Sequence, residues 1–183
     1  MKKKMGAALF ASLLLAGCGA AEEEPAVETE QEESAHSGHD MDHSGSGDVP
    51  EGLEEAANPA FPVGSTAIIQ EGHMDGMKGA EATIAGAYDT TVYTVSYTPT
   101  TGGDPVEDHK WVIHEEIGGS GEEPFVAGDA VTLSADHMEG MDGAEAMIDS
   151  AVDTTVYMID FTTTDGQEVT NHKWVTEEEL STP

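Results

Sequence analysis

The chain has a single cysteine, no arginine, and aromatic residues at only 5% of its 183 positions. With Cys18 alone no internal disulfide can form, so whatever folds here folds without a covalent staple. The six cationic residues are all lysine, and they face 37 acidic residues. Such a balance excludes nucleic acid as a partner, because its binding needs cationic contacts to phosphate. It also argues against docking on anionic lipid head groups. The apolar run from Gly6 to Ala16 is too short to cross a bilayer as a helix, which takes about 20 residues.

The start of the chain reads as a processing signal. Lys2, Lys3 and Lys4 precede the apolar run, which ends in Leu15-Ala16-Gly17-Cys18. That ending resembles the lipobox of bacterial lipoproteins. The resemblance implies a signal peptide over residues 1–17 and a diacylglycerol on the Cys18 thiol. The mature chain is then lipid-anchored at the extracytoplasmic face of the cell membrane. Three lysines remain against 37 acidic residues, a net charge of −34. A surface of that sign concentrates cations. Residues 18–58 have few large apolar side chains and carry glutamate runs, so they read as a disordered acidic tether. Inside it, "HSGHDMDHSG" places His36, His39, Met41 and His43 within eight residues, a metal-binding composition on a flexible stretch.

Beyond the tether the chain repeats itself. Phe61 and Gly64 match Phe125 and Gly128, and 16 of the 26 positions from His73 to Thr98 are identical 64 residues later. "HKWV" recurs at His109 and His172. The copies span residues 59–119 and 122–183. Apolar residues alternate with polar ones, as in Tyr157, Ile159 and Phe161, which is the period of half-buried strands. Asp89-Thr90-Thr91 and Asp153-Thr154-Thr155 read as short turns between strands, and Gly102-Gly103 and Asp165-Gly166 as hairpins. Short antiparallel strands in about 60 residues predict an all-β protein. Its two tandem repeats are small SH3-like β-barrels, because flat open sheets would leave edges exposed.

The chemistry concentrates in a doubled loop, His-Met-x-Gly-Met. It offers His73, Met74 and Met77 in the first copy and His137, Met138 and Met141 in the second. Glycines punctuate it, so it falls between strands rather than on one. Thioether sulfur suits Cu(I) and suits zinc, calcium or magnesium poorly, while imidazole binds copper in both oxidation states. Methionine also resists the disulfide formation that removes cysteine ligands outside the cell. The alternative is packing, with the thioethers filling space beneath the barrel. His109 and His172 precede Trp111 and Trp174 by two. Each histidine either bonds neighbouring backbone or closes the loop site from across the barrel.

The doubled loop, followed by Thr-Thr-Val-Tyr and then His-Lys-Trp-Val, resembles the YdhK family of bacterial lipoproteins over about Phe61 to Leu180. The family includes CopL-type lipoproteins, which bind Cu(I) at the outer face of the membrane and protect cells from copper. The resemblance implies a copper-binding lipoprotein that buffers or sequesters Cu(I), or passes it to an exporter or oxidase. No enzyme is expected. The chain has no phosphate loop, no recognisable Ser/His/Asp context, and no thiol once Cys18 is acylated. The alternative is a cell-envelope interaction module in which tandem SH3-like domains gain avidity and metal plays no part. A carboxylate-based buffer of divalent cations would rest on charge alone.

Overall fold

The computed structural model describes residues 44–183. Cys18, the signal peptide and the tether ligands His36, His39, Met41 and His43 lie outside the described residues. The described chain is all-β. Its strands are β1 (Glu54–Glu55), β2 (Thr66–Ile69), β3 (Glu81–Tyr97), β4 (Val106–Ile113), β5 (Ala130–Thr132), β6 (Glu145–Thr162), β7 (Glu168–Thr176) and β8 (Leu180–Ser181). Single 3-10 turns follow β4 at His114–Glu116 and β7 at Glu177–Glu179.

Two strands dominate. β3 and β6 run 17 and 18 residues and pair antiparallel almost end to end, from Ala82 opposite Phe161 to Tyr97 opposite Ala146. The two Asp-Thr-Thr segments lie in the middle of these strands, which corrects their reading as turns. Asp89 faces Thr155, Thr90 faces Thr154, and Thr91 faces Asp153. Threonine is β-branched and favours a pleated strand. The Thr155 hydroxyl also donates to Asp89 Oδ1 at 2.7 Å across the pair. Thr90 and Thr154 are equivalent positions of the two copies. Their pairing puts a pseudo-two-fold axis at that point.

Because neither long strand turns back, each copy sends its second half into the barrel begun by the other. Barrel one combines β2 and the first half of β3 with the second half of β6, β7 and β8. Its core joins Ile69, Met77 and Ile84 of the first copy to Tyr157, Ile159 and Val175 of the second. Barrel two combines β5 and the first half of β6 with the second half of β3 and β4. Its core joins Leu133, Met141 and Ile148 to Tyr93, Val95 and Val112. Each large apolar side chain buried in this way contributes about 1.5–3 kcal/mol. A third cluster of Val92, Trp111, Ile113, Val156, Met158 and Trp174 forms where the two halves meet. The all-β class and the two-repeat plan hold, but residues 59–119 and 122–183 do not each fill their own core.

The stretch from 44 to 58, read from composition as tether, lies against the body. Gly45 N donates to Thr170 O at 2.8 Å, Lys173 Nζ donates to Asp48 O, and β1 pairs with β3 at Tyr88 and Asp89. Leu53 packs on the third cluster. Leu53, Ala56 and a few hydrogen bonds hold a segment whose composition is otherwise that of a free linker.

Candidate functional site

The His-Met-x-Gly-Met loops dock crosswise. Thr164 N donates to Gly76 O at 2.9 Å, and Thr100 N donates to Gly140 O at 2.8 Å. Gly76 and Gly140 both have positive φ, 75° and 79°. A Cβ at Gly76 would stand 2.9 Å from Thr163 Cβ, and one at Gly140 would stand 2.6 Å from Thr101 Oγ1. Only glycine allows both that backbone conformation and that approach.

The docked loops split their own motif. His73, Met74, His137 and Met138 line a cavity of about 830 Å³, whereas Met77 and Met141 are fully buried in the two barrel cores. Of the one imidazole and two thioethers that each loop offers, the histidine and the first methionine line the cavity and the second methionine does not. In each loop the turn at Asp75-Gly76 or Glu139-Gly140 carries the last methionine inward, where its thioether packs with Ile69 and Ile84 or with Leu133 and Ile148.

His109 and His172 also reach the cavity, from irregular stretches of β4 and β7. Register shifts flank each of them, and each follows a residue with positive φ, Asp108 at 52° and Asn171 at 51°. Asp and Asn tolerate that region better than other side chains. All four loop and strand histidines therefore converge with Met74 and Met138. Since these are equivalent residues of the two copies, the cavity straddles the pseudo-two-fold axis. The rings come in pairs. His73 and His172 have centroids 6.3 Å apart, and His109 and His137 have centroids 6.2 Å apart. Each pair joins one copy to the other and belongs to a different barrel. Tyr97 OH lies 4.0 Å from Met138 Sδ.

Two buried carboxylates, unmarked in the sequence reading, support the loop histidines. Glu179 Oε1 lies 2.9 Å from His73 Nε2, and Glu116 Oε1 lies 2.8 Å from His137 Nε2. The second oxygen of each accepts an indole N–H, from Trp111 at 2.8 Å on Glu179 and from Trp174 at 3.0 Å on Glu116. Burial opposes the charge on Glu179. Hydrogen bonds from His73, Thr176 and Trp111, together with the charge of His73, overcome it and hold the carboxyl at about 2. His109 is pushed down to about 4, first by burial and then by His137 and His73, with Glu116 acting in the opposite sense. His109 is thus a neutral imidazole at neutral pH. Its Nε2 is buried with no hydrogen-bond partner, and so is Nδ1 of His137. A signal for the carboxylates was present. Each stands five residues after the tryptophan of its copy, hidden in the acidic runs "HEE" and "EEE".

The cavity is rimmed by Asp48, Glu71, Glu107, Asp108 and Asp136. Lys110 and Lys173 lie over the faces of Trp111 and Trp174, at 5.0 and 5.7 Å from the ring centroids. Among the described residues, no three His, Cys, Asp or Glu side chains are grouped to hold a metal ion. Among the described residues, no helix is long and apolar enough to cross a membrane.

The same stretches carry a family match. The model described as Protein of unknown function (DUF1541) matches twice, over residues 63–114 and 127–177. The chain belongs to the DUF1541 family. Each DUF1541 stretch contains one His-Met loop and one His-Lys-Trp strand, and each stops just short of its buried glutamate. The chain is 61% identical over 157 residues to "Uncharacterized protein YdhK" of Bacillus subtilis (strain 168), covering 81% of this chain and 77% of that one. The crystal structure of a DUF1541 family protein, ydhK of Bacillus subtilis, superimposes with a TM-score of 0.76 at 63% identity. That match covers 79% of this chain and 99% of the other. A solution NMR structure of the ydhK C-terminal domain gives a TM-score of 0.64 at 62% identity, covering 66% of this chain and 92% of that one.

Proposed function

We propose that this DUF1541 chain is a non-enzymatic, lipid-anchored protein of the extracytoplasmic face that binds Cu(I) in the histidine-lined cavity. It buffers or sequesters the ion, or hands it to a membrane exporter or oxidase. The observation that carries the reading is the convergence of four imidazoles and two thioethers on one cavity, with His109 Nε2 and His137 Nδ1 buried and lacking hydrogen-bond partners. A buried polar atom without a partner costs about 1–3 kcal/mol, so a site that keeps two of them fits one that is completed by a ligand. Their chemistry selects the ligand. Neutral imidazole nitrogen and thioether sulfur favour a soft ion such as Cu(I) over calcium or magnesium. The ring spacing fits too. A metal held in line between two imidazoles at about 2.0 Å from each nitrogen spaces the ring centroids by about 6 Å. The acidic rim and the charge of the whole chain draw cations toward the mouth.

The test is competition with a Cu(I) chelator on the mature chain carrying Cys18→Ser, beside the same chain with Met74→Leu and Met138→Leu. Leucine keeps size and apolarity, so the fold is expected to lose less than about 1.5 kcal/mol. Cu(I) affinity is expected to fall at least tenfold. Equal affinity in the two proteins returns Met74 and Met138 to a packing role and removes the thioether from the site.

A further inference from the structure

The hydrogen bonds around the two buried glutamates determine which nitrogen each loop histidine can offer. A carboxylate oxygen only accepts, so the 2.8 Å contact between Glu116 Oε1 and His137 Nε2 requires the proton on Nε2. The same holds for His73 Nε2 at 2.9 Å from Glu179 Oε1. In the neutral ring Nδ1 is then the bare lone pair, and in His137 this atom is buried without a hydrogen-bond partner. The His137 side chain is only 10% exposed, so bulk water does not satisfy it. The glutamates are themselves held in place. Glu116 Oε2 accepts from Trp174 Nε1 at 3.0 Å and from Ile113 N at 3.3 Å. Glu179 Oε2 accepts from Trp111 Nε1 at 2.8 Å, Thr176 N at 2.9 Å and Thr176 Oγ1 at 3.0 Å. Each carboxylate comes from one copy of the repeat, while the histidine and tryptophan it binds come from the other. No single copy can build the arrangement.

We propose that Glu116 and Glu179 are positioning residues that lock His137 and His73 as Nε2–H tautomers, so that Nδ1 is the atom each loop histidine gives to a metal ion. The metal half of this inference rests on the Cu(I) reading above, whereas the tautomer half stands without it. The carboxylate does for the histidine what outer-shell partners do in metal sites generally. It orients the ring and fixes the proton, and its loss costs about 10–100-fold in metal affinity.

Glu116→Gln makes the claim falsifiable, because the substitution has only one comfortable orientation. Trp174 Nε1 and Ile113 N both donate toward the Oε2 position, so the amide oxygen must sit there. The amide NH₂ then faces His137 Nε2 and donates to it, which drives the ring proton to Nδ1 and closes the ligand atom. Glu116 is the position to use, since Lys110 lies 3.8 Å from Glu179 Oε1 and would bias a glutamine there.

The experiment reads ring tautomers by long-range ¹H–¹⁵N correlation on the mature chain carrying Cys18→Ser, at about pH 8, where imidazole is neutral. Chelator competition on the same samples gives Cu(I) affinity. In the metal-free parent, His137 and His73 are expected as Nε2–H tautomers, and added Cu(I) is expected to move the Nδ1 resonances. In Glu116→Gln, His137 is expected to flip and Cu(I) affinity to fall about 10–100-fold. A wholly structural glutamate would lower melting temperature and leave affinity unchanged. Nδ1–H tautomers in the parent overturn the proposal, and so does a flipped His137 with unchanged affinity. Should Glu116→Gln fail to fold, the parent decides by itself, since a Cu(I) shift on Nε2 of His137 overturns the proposal and a shift on Nδ1 supports it. If the parent binds no Cu(I) while both rings keep the Nε2–H tautomer, the copper reading falls and the positioning role stands.

Discussion

Barrel one and barrel two share a plan and part company at the anchors of their buried tyrosines. In barrel two, Tyr93 OH accepts from Phe125 N at 3.1 Å and meets His114 Nδ1 at 2.9 Å, while His114 Nε2 reaches Gly121 O at 2.8 Å. In barrel one, Tyr157 OH accepts from Phe61 N at 3.5 Å and donates to Glu177 Oε2 at 3.4 Å. One barrel therefore anchors its tyrosine with a histidine and the other with a glutamate. Around the cavity six pairs keep their residue type, although other lining positions differ, as Asp108 does from Asn171. His73 and His137, Met74 and Met138, His109 and His172, Lys110 and Lys173, Trp111 and Trp174, and Glu116 and Glu179 are the same residues in both halves. Barrel closure tolerates a substituted anchor, so closure alone does not account for the matched set at the axis.

The contrast can be broken most severely by separating the copies. Residues 59–119 alone hold the first half of barrel one and the second half of barrel two. They are expected to give no folded monomer. They should either remain unfolded or pair with a second copy, β3 against β3, across the same axis. Light scattering with circular dichroism checks this, and a folded monomeric repeat would contradict the exchanged cores. Next in size, Met77→Ala and Met141→Ala should each cost about 2–5 kcal/mol in denaturant unfolding, because both side chains are fully buried. The two costs should be similar, and Cu(I) affinity should not change.

Acid should act on the two barrels in different windows. His109 of barrel two has its pKa depressed from 6.5 to about 4, so the folded state binds fewer protons there than the unfolded one. Stability falls as pH drops from about 6.5 to about 4. Glu179, against barrel one, is depressed from 4.5 to about 2, and its contribution is lost as pH falls through that lower range. A melting series from pH 8 to about pH 2 should decline through both windows, and His109→Asn should flatten the upper one. The smallest effect belongs to the divergent anchors. His114→Ala removes two hydrogen bonds and should cost about 1–2 kcal/mol, and Glu177→Ala less than about 1 kcal/mol. Both should leave the cavity histidines and metal affinity untouched.

Much of this was legible in the residues. Alternation in Tyr157, Ile159 and Phe161 marks a strand with one buried face, and the 64-residue offset marks the copies. The histidines that reach the cavity are among those that recur. What periodicity does not carry is direction. Asp89-Thr90-Thr91 has the polarity of a turn and the β-propensity of a strand, and the pairing of Thr90 with Thr154 decides between them only once both copies are present. Met74 and Met77 are alike in composition and three residues apart, yet the turn at Gly76 sends one to the cavity and the other to the core. Glu116 and Glu179 are invisible by type, being two acids among 37. Burial singles them out, and burial here depends on the partner copy.

The long pairing of β3 with β6 also sets an order in time. Ala82 finds its partner at Phe161, 79 positions later, and the core around Ile84 needs Tyr157 and Ile159. A chain delivered from its N-terminus exposes β3 long before β6 exists to receive it. Barrel two can close once the first half of β6 has emerged, whereas barrel one must also wait for β7 and β8. Contacts this distant in sequence make for slow folding. During that wait a half-emerged chain presents a long unpaired strand whose nearest complement is the same strand on a neighbouring molecule.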